Sequence, residues 1–444
     1  MVSLSSSNEP SPEAVANPAA PARESRRFDI VLWGATGFTG KLVAEYLARH
    51  THLPNDPGDG PALSWALAGR SQKKLEAVRT ALAADFPRAS ELPLLLGDSN
   101  DRVSLDQIVR QARVVITTVG PYALHGRELV AACVDAGTDY VDLAGETPFI
   151  RDMIDRHHAR AKQTGARIVH SCGYDSIPSD LGVLMLQEHA QEKYGARIPH
   201  IHFFAGESKG AASGGTVASM LNLMEEAGKD PKVRRIAGNP YALVPEHQGR
   251  GPDGADQMGV RYDKDSGRWT GPFVMAGINT RIVRRSNSLL DYAWGKGFRY
   301  DEAMSFKPGA KGLIQASVVT AATAAFFVAA LAAPVRKLLQ KTVLPAPGEG
   351  PSKELRDSGY FTSRLYGEVT GKSGSARLLG TVKGTSDPGY GETAKMISES
   401  AMSLLFDGAA IRQAGGVLTP ASCMGMPLVL RLRKAGMTFD VTER

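Results

Sequence analysis

The feature that most constrains this chain is a glycine-rich turn between a short apolar run and a helix-forming segment. Residues 30–33 are typical of a buried strand, and they lead into Gly-x-x-Gly-x-x-Gly, with glycines at Gly34, Gly37 and Gly40. A strand that turns tightly into a helix N-terminus presents free N–H groups, and glycine lets the backbone approach a pyrophosphate. This order of elements favours a dinucleotide site over an ordinary strand–turn–helix. We expect the cofactor to contact the whole turn: Gly34, Ala35, Thr36, Gly37, Phe38, Thr39 and Gly40.

The end of the second predicted strand, residues 63–68, indicates which dinucleotide is bound. An NAD site usually places an acidic residue there to bind the ribose 2′-hydroxyl. This chain has Arg70 and Ser71 instead, followed by Lys73 and Lys74. A guanidinium suits a 2′-phosphate, so the sequence predicts NADP(H). The alternative is that Arg70 caps a surface turn and the two lysines lie on a solvated helix face.

Strand and helix patterns alternate through the first part of the chain. Further strands are predicted at residues 92–96, 113–117, 140–143 and 167–169, with helical segments between them. Such alternation implies parallel strands joined by right-handed crossovers. The predicted fold class is therefore α/β: an N-terminal Rossmann-type doubly wound parallel sheet over residues 28–195, followed by a C-terminal α+β domain.

Ligands of doubly wound sheets bind beyond the carboxyl ends of the strands. Asp98 follows the third strand, on the expected adenine side, and Gly120 and Pro121 follow the fourth. We expect these three residues to contact the cofactor. The segments after the fourth, fifth and sixth strands, which include Glu146 and Tyr174, should converge at the nicotinamide end.

Composition divides the rest of the chain. Residues 1–27 are rich in Ser, Pro, Ala and Glu without an apolar core, which predicts a disordered tail and not a signal peptide. Residues 196–386 predict an α+β region for substrate binding or oligomerisation. Residues 387–444 predict C-terminal helices and a strand that pack back on the first domain.

One stretch, residues 313–333, carries no charge and would be about 31 Å long as a helix, close to the thickness of a bilayer core. Just upstream, Arg281, Arg284 and Arg285 precede aromatic residues such as Trp294, a mixture that suits a lipid headgroup interface. We therefore expect contact with a membrane surface. The alternative is a helix buried in a protein interface, and a true membrane span is less favoured.

Composition also excludes several kinds of site. The three cysteines, Cys133, Cys172 and Cys423, lack the spacing of a zinc site or a disulfide framework, which fits a reducing cytoplasm. His157 and His158 are neighbours on one helix and point to different faces, so no metal site is expected. The net charge of +6 accompanies no nucleic-acid motif, so no nucleic-acid partner is expected.

With these motifs in place, the chain resembles the saccharopine dehydrogenase-like oxidoreductases, and among them the trans-acting enoyl reductase branch. The resemblance rests on the glycine-rich turn and on residues 66–78 (ALAGRSQKKLEAV), 119–146, 170–182 (HSCGYDSIPSDLG) and 387–395 (DPGYGETAK). It implies a Rossmann domain, a nicotinamide cofactor and reduction of a lipid- or polyketide-linked acyl substrate in glycolipid biosynthesis, with a polyketide synthase as partner. It also implies a cytoplasmic protein peripheral to the inner face of the plasma membrane.

Under this resemblance the chain would reduce a C=C bond with NADPH, and a side chain must deliver a proton. The candidate donors are Tyr122, His125 and Tyr174, although Tyr122 has the alternative of stacking beside the cofactor and His125 that of a helix-start hydrogen bond. Asp175 and Asp180 are expected to cap turns and the helix that begins at residue 177. Two other functions remain open: a C=N or C=O oxidoreductase of the saccharopine type, and a non-catalytic NADP(H)-binding scaffold at the membrane. The oligomeric state also remains open, with a homodimer as one option.

Overall fold

The computed structural model of this chain describes residues 21–54, 59–210, 214–332, 334–336, 350–411 and 415–444. These residues form two seven-stranded sheets, of which the first is parallel throughout and the second is mixed. The predicted fold class, a Rossmann-type sheet followed by an α+β region, is confirmed.

The first sheet is built from seven short strands: β1 (Phe28–Trp33), β2 (Trp65–Gly69), β3 (Leu94–Leu96), β4 (Ala112–Thr117), β5 (Asp139–Val141), β6 (Arg167–Val169) and β13 (Gly416–Leu418). Their order in the sheet is β13-β6-β5-β4-β1-β2-β3. Strands β1 and β2 are apolar runs because helices cover both faces of a parallel sheet. The switch in strand order falls between β1 and β4, where ligands of such sheets bind.

The helices that connect these strands are α1 (Phe38–His50), α2 (Gln72–Asp85), α3 (Arg102–Val109), α4 (Tyr122–His125), α5 (Arg127–Ala136) and α6 (Thr147–Thr164). Helix α6 begins after Glu146 with a proline in its first turn and ends at Gly165, whose φ of +76° lies in the left-handed region. These end signals are local. The sequence pattern predicts a helix over residues 147–164, and both boundaries are correct.

The second sheet has the order β14-β12-β11-β7-β10-β9-β8, and β7 and β10 are its one parallel pair. Its elements in chain order are α7 (Ile177–Tyr194), β7 (His200–Lys209), α8 (Gly214–Lys229), α9 (Pro231–Gly238), β8 (Arg261–Asp263), β9 (Arg268–Gly271), α10 (Ala276–Leu289), β10 (Arg299–Ser305), α11 (Gly309–Leu331), α12 (Lys353–Asp357), β11 (Tyr360–Gly371), β12 (Gly374–Gly384) and β14 (Thr438–Glu443). Helix α7 packs against β11, β12 and β14, so it covers the second sheet although it follows β6 directly.

The C-terminal region contributes to both sheets. Helix α13 (Gly391–Phe406) packs on α1, and the Tyr46 hydroxyl donates to Glu399 across this contact at 2.7 Å. The chain then adds β13 beside β6 and returns through α14 (Pro420–Cys423) and α15 (Gly425–Lys434) to place β14 beside β12. The two sheets are therefore tied together by the end of the chain.

A disordered tail is predicted for residues 1–27, of which residues 1–20 lie outside the described residues. Residues 21–27 are described, and two arginines attach them to the first sheet. The Arg26 guanidinium donates to the Ala112 and Ala136 carbonyls at 2.8 and 2.6 Å, and Arg23 pairs with Asp139 at 3.0 Å. These contacts bind residues 21–27 to the first sheet, in contrast to the disorder expected of them.

Arg281, Arg284, Arg285 and Trp294, upstream of α11, lie inside the protein, so these four residues do not form the headgroup interface expected of them. Arg281 pairs with Asp256, and Arg284 pairs with Asp253 at 2.7 Å. Arg285 is 1% exposed and donates to two main-chain carbonyls, and Trp294 is buried as well. A composition pattern cannot distinguish a solvated arginine from one that is paired with a carboxylate distant in sequence.

Candidate active site

The glycine-rich turn forms a tight backbone cradle at the switch point between β1 and β4. Gly34 has a φ of +87°, in the left-handed region, and a Cβ there would lie 2.5 Å from Val119 Cγ2. A Cβ on Gly40 would lie 2.9 Å from the Gly34 carbonyl carbon, so α1 approaches the turn this closely only because Gly40 has no side chain. No described side chain caps α1, whose first backbone bond runs from Lys41 N–H to Gly37 C=O. The earlier N–H groups point out of the helix end, where they suit phosphate oxygens.

The residues that follow β2 and β3 fit the adenosine half of NADP(H). Arg70 is exposed and forms no hydrogen bond or ion pair with any residue that the structure describes, so its guanidinium is available to a 2′-phosphate. The N-cap of α2 is Ser71, whose hydroxyl accepts from Lys74 N–H. Lys73 and Lys74 are exposed on α2, as the alternative reading of this segment also expects. Asp98 accepts from Asn100 N–H at 2.9 Å and shapes the turn that leads to α3.

The segments after β4, β5 and β6 converge, as the parallel order predicts. Gly120 and Pro121 follow β4 and are joined by a cis peptide bond. The next residue, Tyr122, is buried, and its hydroxyl donates to the Thr117 carbonyl at 3.2 Å and accepts from Leu143 N–H at 3.1 Å. Tyr122 therefore joins the β4 and β5 loops through backbone groups, and burial raises the pKa of its hydroxyl well above the usual value.

Glu146 holds this junction to the second part of the chain. Its buried carboxylate accepts from the N–H groups of Tyr122 and Ala123, both at 2.8 Å, and from the Ser219 hydroxyl on α8 at 2.7 Å. Burial raises the pKa of Glu146, and these hydrogen bonds oppose the rise. The carboxylate thus fixes α8 beside the Gly120 loop, at the expected nicotinamide end.

Asp142 and His170 form a buried pair behind the loops after β5 and β6. His170 Nδ1 lies 2.7 Å from Asp142 Oδ2, and both side chains are 0% exposed. The other Asp142 oxygen accepts from the N–H groups of Ala144 and Ser171, both at 3.0 Å. Ser171 has a φ of +62°, a conformation that these bonds hold in place. The pair therefore sets the path of the loop that carries Tyr174.

Tyr174 and Asp175 are acidic groups at this edge whose side chains form no hydrogen bond with another residue that the structure describes. The Tyr174 ring packs edge-on against Phe361 at 4.8 Å, and its hydroxyl has no hydrogen-bond partner among the described residues. Burial raises the pKa of Tyr174, with a contribution from Glu302. Burial, together with the charge of Asp142, raises the pKa of Asp175 to about 7. A carboxyl group with this pKa can both hold and release a proton near neutral pH.

A third acid, Glu302, reaches this region from β10 of the second sheet. It is 1% exposed, and its carboxyl accepts from the Tyr300 hydroxyl at 2.6 Å and from the Asn279 amide at 3.0 Å. The Asn279 amide oxygen in turn accepts from the Ser176 hydroxyl at 3.0 Å. Burial raises the pKa of Glu302 to about 7. This chain of polar groups connects the second sheet to the loop that holds Tyr174 and Asp175.

The C-terminal region closes over the glycine cradle at Phe38. The Tyr390 ring packs edge-on against Phe38 with centroids 4.8 Å apart, and the Arg356 guanidinium lies 5.3 Å from the Phe38 centroid. The Tyr390 hydroxyl accepts from Gly214 N–H at 2.9 Å, at the start of α8. Residues from three parts of the chain therefore surround the predicted cofactor turn.

The other sequence-predicted residues have different outcomes. The expectation that Asp175 and Asp180 act as caps is wrong: the N-cap of α7 is Ser176, and Asp180 is buried and accepts from Ser286 and from Ala421 N–H. Cys172 is buried, and burial raises the pKa of its thiol well above the usual value. His125 is half-buried at the end of α4, with no side-chain hydrogen bond to a described residue.

Sequence reasoning missed Ser219, Asn279, Glu302 and Tyr390 as components of the site. Tyr390 lies within residues 387–395, which carry the family resemblance, so a signal was present for it. Ser219 lies on α8, in a segment that carries no such signal. Asn279 and Glu302 lie in segments with no glycine turn or strand-end pattern, and only the three-dimensional fold brings them to this edge.

Comparisons with known proteins agree with the fold and the cradle. The family profile described as "Saccharopine dehydrogenase NADP binding domain" matches residues 30–169. Rv2449c of Mycobacterium tuberculosis (strain H37Rv), provisionally named a trans-acting enoyl reductase, is 42% identical over 94% of this chain and 98% of its own length. A trans-acting enoyl reductase of Mycobacterium bovis (strain BCG / Pasteur 1173P2) is 40% identical over the same shares.

Among solved structures, apo saccharopine dehydrogenase (L-Glu forming) from Saccharomyces cerevisiae superposes with a TM-score of 0.51 at 14% identity. The match covers 94% of this chain and 100% of that one, and it supports the fold alone. Since the curated relatives match at nearly full length and the cradle fits NADP(H), the chain is an NADP-dependent oxidoreductase that belongs to the trans-acting enoyl reductase family of saccharopine dehydrogenase-like proteins.

Proposed function

We propose that this protein uses NADPH to reduce the C=C bond of an enoyl group on a thioester-linked acyl chain. The observation that carries the proposal is that a complete NADP-type cradle and two acids, Tyr174 and Asp175, lie at the same edge of one sheet. The names of the curated relatives support this reaction in preference to the C=N or C=O chemistry of saccharopine-type enzymes.

When bound, NADPH supplies a hydride to the β-carbon of the conjugated double bond, and the α-carbon then needs a proton. Tyr174 is the donor we favour among Tyr122, His125 and Tyr174, because its hydroxyl has no protein partner among the described residues whereas that of Tyr122 is bound on both sides. The raised pKa of Tyr174 keeps the hydroxyl neutral. Asp175, the next residue in the chain, has a pKa of about 7 and is the group we propose to restore the proton.

The test is NADPH consumption by the full chain with three substrate groups: enoyl thioesters, 3-ketoacyl thioesters, and an amino acid supplied with a keto acid. Turnover confined to enoyl thioesters supports the proposal. Turnover confined to either other group would assign the alternative oxidoreductase activity, and tight NADPH binding with no turnover would favour the scaffold function.

Two variants separate the proton donor from a structural tyrosine. Tyr174→Phe should lower kcat about 100-fold, within the range for loss of a general acid. The matched control is Tyr262→Phe, which removes the hydroxyl of an exposed tyrosine on β8 and should leave kcat unchanged. If Tyr122→Phe abolished turnover while Tyr174→Phe retained it, the assignment of the donor would be wrong.

We further propose that the acyl substrate is carried by a polyketide synthase and serves lipid assembly, which the "trans-acting" names of the relatives suggest. A protein that acts in trans receives a chain from another enzyme. The experiment is a lipid profile of a strain that lacks this protein, in which unsaturated acyl intermediates should accumulate. An unchanged profile would argue against a role in lipid assembly.

We propose that the protein is cytoplasmic and that it contacts the inner face of the plasma membrane through α11. Among the described helices, α11 is the only one long and apolar enough to cross a bilayer. One face packs on β9 and α8, where Gly312 and Ala316 are buried, while Ile314, Val318 and Val328 are more than 60% exposed. A helix held by protein on one side suits insertion into a membrane surface better than a span.

Flotation with vesicles that contain an anionic lipid tests this localisation. The double variant Ile314→Lys/Val318→Lys should stay unbound while the wild type floats, and Val103→Lys, at an equally exposed apolar position on α3, should float normally. If the double variant still floated but changed from a dimer to a monomer, α11 would be a subunit interface instead.

A further inference from the structure

A cluster of two histidines and one aspartate lies on the second sheet, on the face opposite to α7. His200 and His202 occupy alternate positions of β7, so their side chains share a face, whereas Ile201 and Phe203 point into the core with α7. Asp301 on β10 is the register partner of His202. Strand alternation and parallel pairing therefore bring the three side chains together.

The three side chains already converge on one small volume. His200 Nε2 lies 2.7 Å from Asp301 Oδ2, and His202 Nδ1 lies 3.0 Å from Asp301 Oδ1. The ligand atoms all lie within 4.8 Å of one another, in the one such group found among the described residues. Each imidazole presents a nitrogen to a different oxygen of the same carboxylate.

We propose that His200, His202 and Asp301 bind a zinc ion, with a fourth position left to water. Two imidazole nitrogens and one carboxylate oxygen form a ligand set that zinc prefers and that calcium or magnesium does not. In a tetrahedral site with bonds of about 2.0–2.1 Å, ligand atoms lie about 3.3 Å apart. The two nitrogen–oxygen separations, 2.7 and 3.0 Å, are within about 0.6 Å of this value.

The surroundings favour a cation and leave it a path from solvent. The three side chains are between 26% and 47% exposed. Asp263 and Asp265, from β8 and the turn after it, add negative charge near His202. The outer ring nitrogens, His200 Nδ1 and His202 Nε2, have no partner among the described residues, so each ring can carry its proton there and turn a lone pair toward the ion.

A zinc ion bound by these three residues would link β7 to β10, the parallel pair at the centre of the second sheet. A ligand that binds the folded form alone raises its stability. Asp301 is the neighbour of Glu302 on β10, but the two side chains point to opposite faces of the strand. The proposed metal site therefore lies on the other face of the second sheet from the candidate active site, and we assign it a role in the stability of this sheet. The sequence alone does not indicate this site because Asp301 lies about 100 residues beyond the two histidines.

The experiment uses the full chain, purified without a histidine tag and stripped with a chelator, then titrated with Zn²⁺ by calorimetry. We expect one ion per chain, and His202→Ala or Asp301→Asn should weaken its affinity at least about 100-fold, beyond the loss of an outer-shell partner. His247→Ala, which removes an exposed histidine outside the cluster, is the matched control and should bind normally.

A second measurement remains informative if a variant folds less well. Zn²⁺ should raise the Tm of the wild type and of His247→Ala but not of His202→Ala or Asp301→Asn, and Co²⁺ in place of zinc should give the visible absorption of a tetrahedral nitrogen–oxygen site. Equal binding by all variants would mean an adventitious ion only. Equal binding, or no binding by the wild type, overturns the proposal.

Discussion

Replacement of Gly37 or Gly40, the two glycines on the helix side of the turn, by alanine should affect different properties of the protein. A Cβ on Gly40 would lie 2.9 Å from the Gly34 carbonyl carbon and 3.0 Å from Ala35 Cα, all backbone atoms of the turn. These atoms cannot rotate away, so α1 and the turn must separate. A Cβ on Gly37 would lie 3.3 Å from the Gly34 carbonyl oxygen, which requires a shift of only a few tenths of an ångström, and the Gly37 φ of −72° suits any residue.

Overpacking of this kind costs about 1–3 kcal/mol. Gly40→Ala should therefore lower the Tm by about 2–12 °C, on the usual relation of about 2–4 °C per kcal/mol for larger domains. Gly37→Ala should leave the free energy of unfolding within about 0.5 kcal/mol of the wild type. Its methyl group would stand at the N-terminus of α1, where the pyrophosphate binds, so NADPH affinity should fall about 10-fold, or 1.4 kcal/mol.

The assays are thermal denaturation without cofactor and a fluorescence titration with NADPH, both on the full chain. The reasoning predicts a lower Tm for Gly40→Ala, and weaker NADPH binding at an unchanged Tm for Gly37→Ala. A Gly40→Ala protein that melts with the wild type would refute the close packing of α1 on the turn. A Gly37→Ala protein that binds NADPH normally would refute the position of the pyrophosphate.

Three further predictions follow from the site. Arg70→Ala should weaken NADPH binding about 10- to 100-fold, which corresponds to the loss of a charge-assisted hydrogen bond, while NADH binding stays nearly constant. If titrations showed an equal loss of affinity for both cofactors, the assignment of the 2′-phosphate to Arg70 would be wrong. Because the Asp175 pKa is raised to about 7, kcat should fall as the pH rises through 7, and Asp175→Asn should lack this limb of the pH profile. Because the folded-state pKa of Asp175 is raised, ionised Asp175 opposes folding, and the free energy of unfolding should fall as the pH rises from about 4 to 7. In a denaturation series, the free energy of unfolding of the wild type minus that of Asp175→Asn should therefore fall over this pH range. A rise in this difference would contradict the prediction. Glu146→Ala should cost about 2–4 kcal/mol in a urea titration because two buried N–H groups lose their acceptor, whereas exposed Glu128→Ala should cost under about 0.5 kcal/mol; similar costs for both would show that Glu146 does not hold the junction.

The parts of the fold that the sequence predicts well depend on local signals. The glycine turn, the boundaries of α6 and the strand at Arg167–Val169 follow from residues that lie next to one another. Parallel order then places the loops after β4, β5 and β6 at one edge without further information. For this reason the convergence at Tyr122 and Glu146 could be expected before the structure.

The remaining parts depend on contacts between residues far apart in sequence. Strand β13, Gly416–Leu418, is three residues long and pairs with β6 from nearly 250 residues away, so no periodicity marks it. Glu302 and Asn279 reach the site through the second sheet. Arg284 is buried because it pairs with Asp253, and nothing in its own segment reveals that partner.

Transfer of deuterium from NADPH that carries deuterium at both nicotinamide C4 positions tests the central claim most directly. The account predicts that incubation of the full chain with an enoyl thioester gives a saturated product with one deuterium on the β-carbon, detected by mass spectrometry, and that Tyr174→Phe forms it far more slowly. A label found on a carbinol or amine carbon instead, or no transfer at all to any enoyl thioester despite tight NADPH binding, would contradict the account.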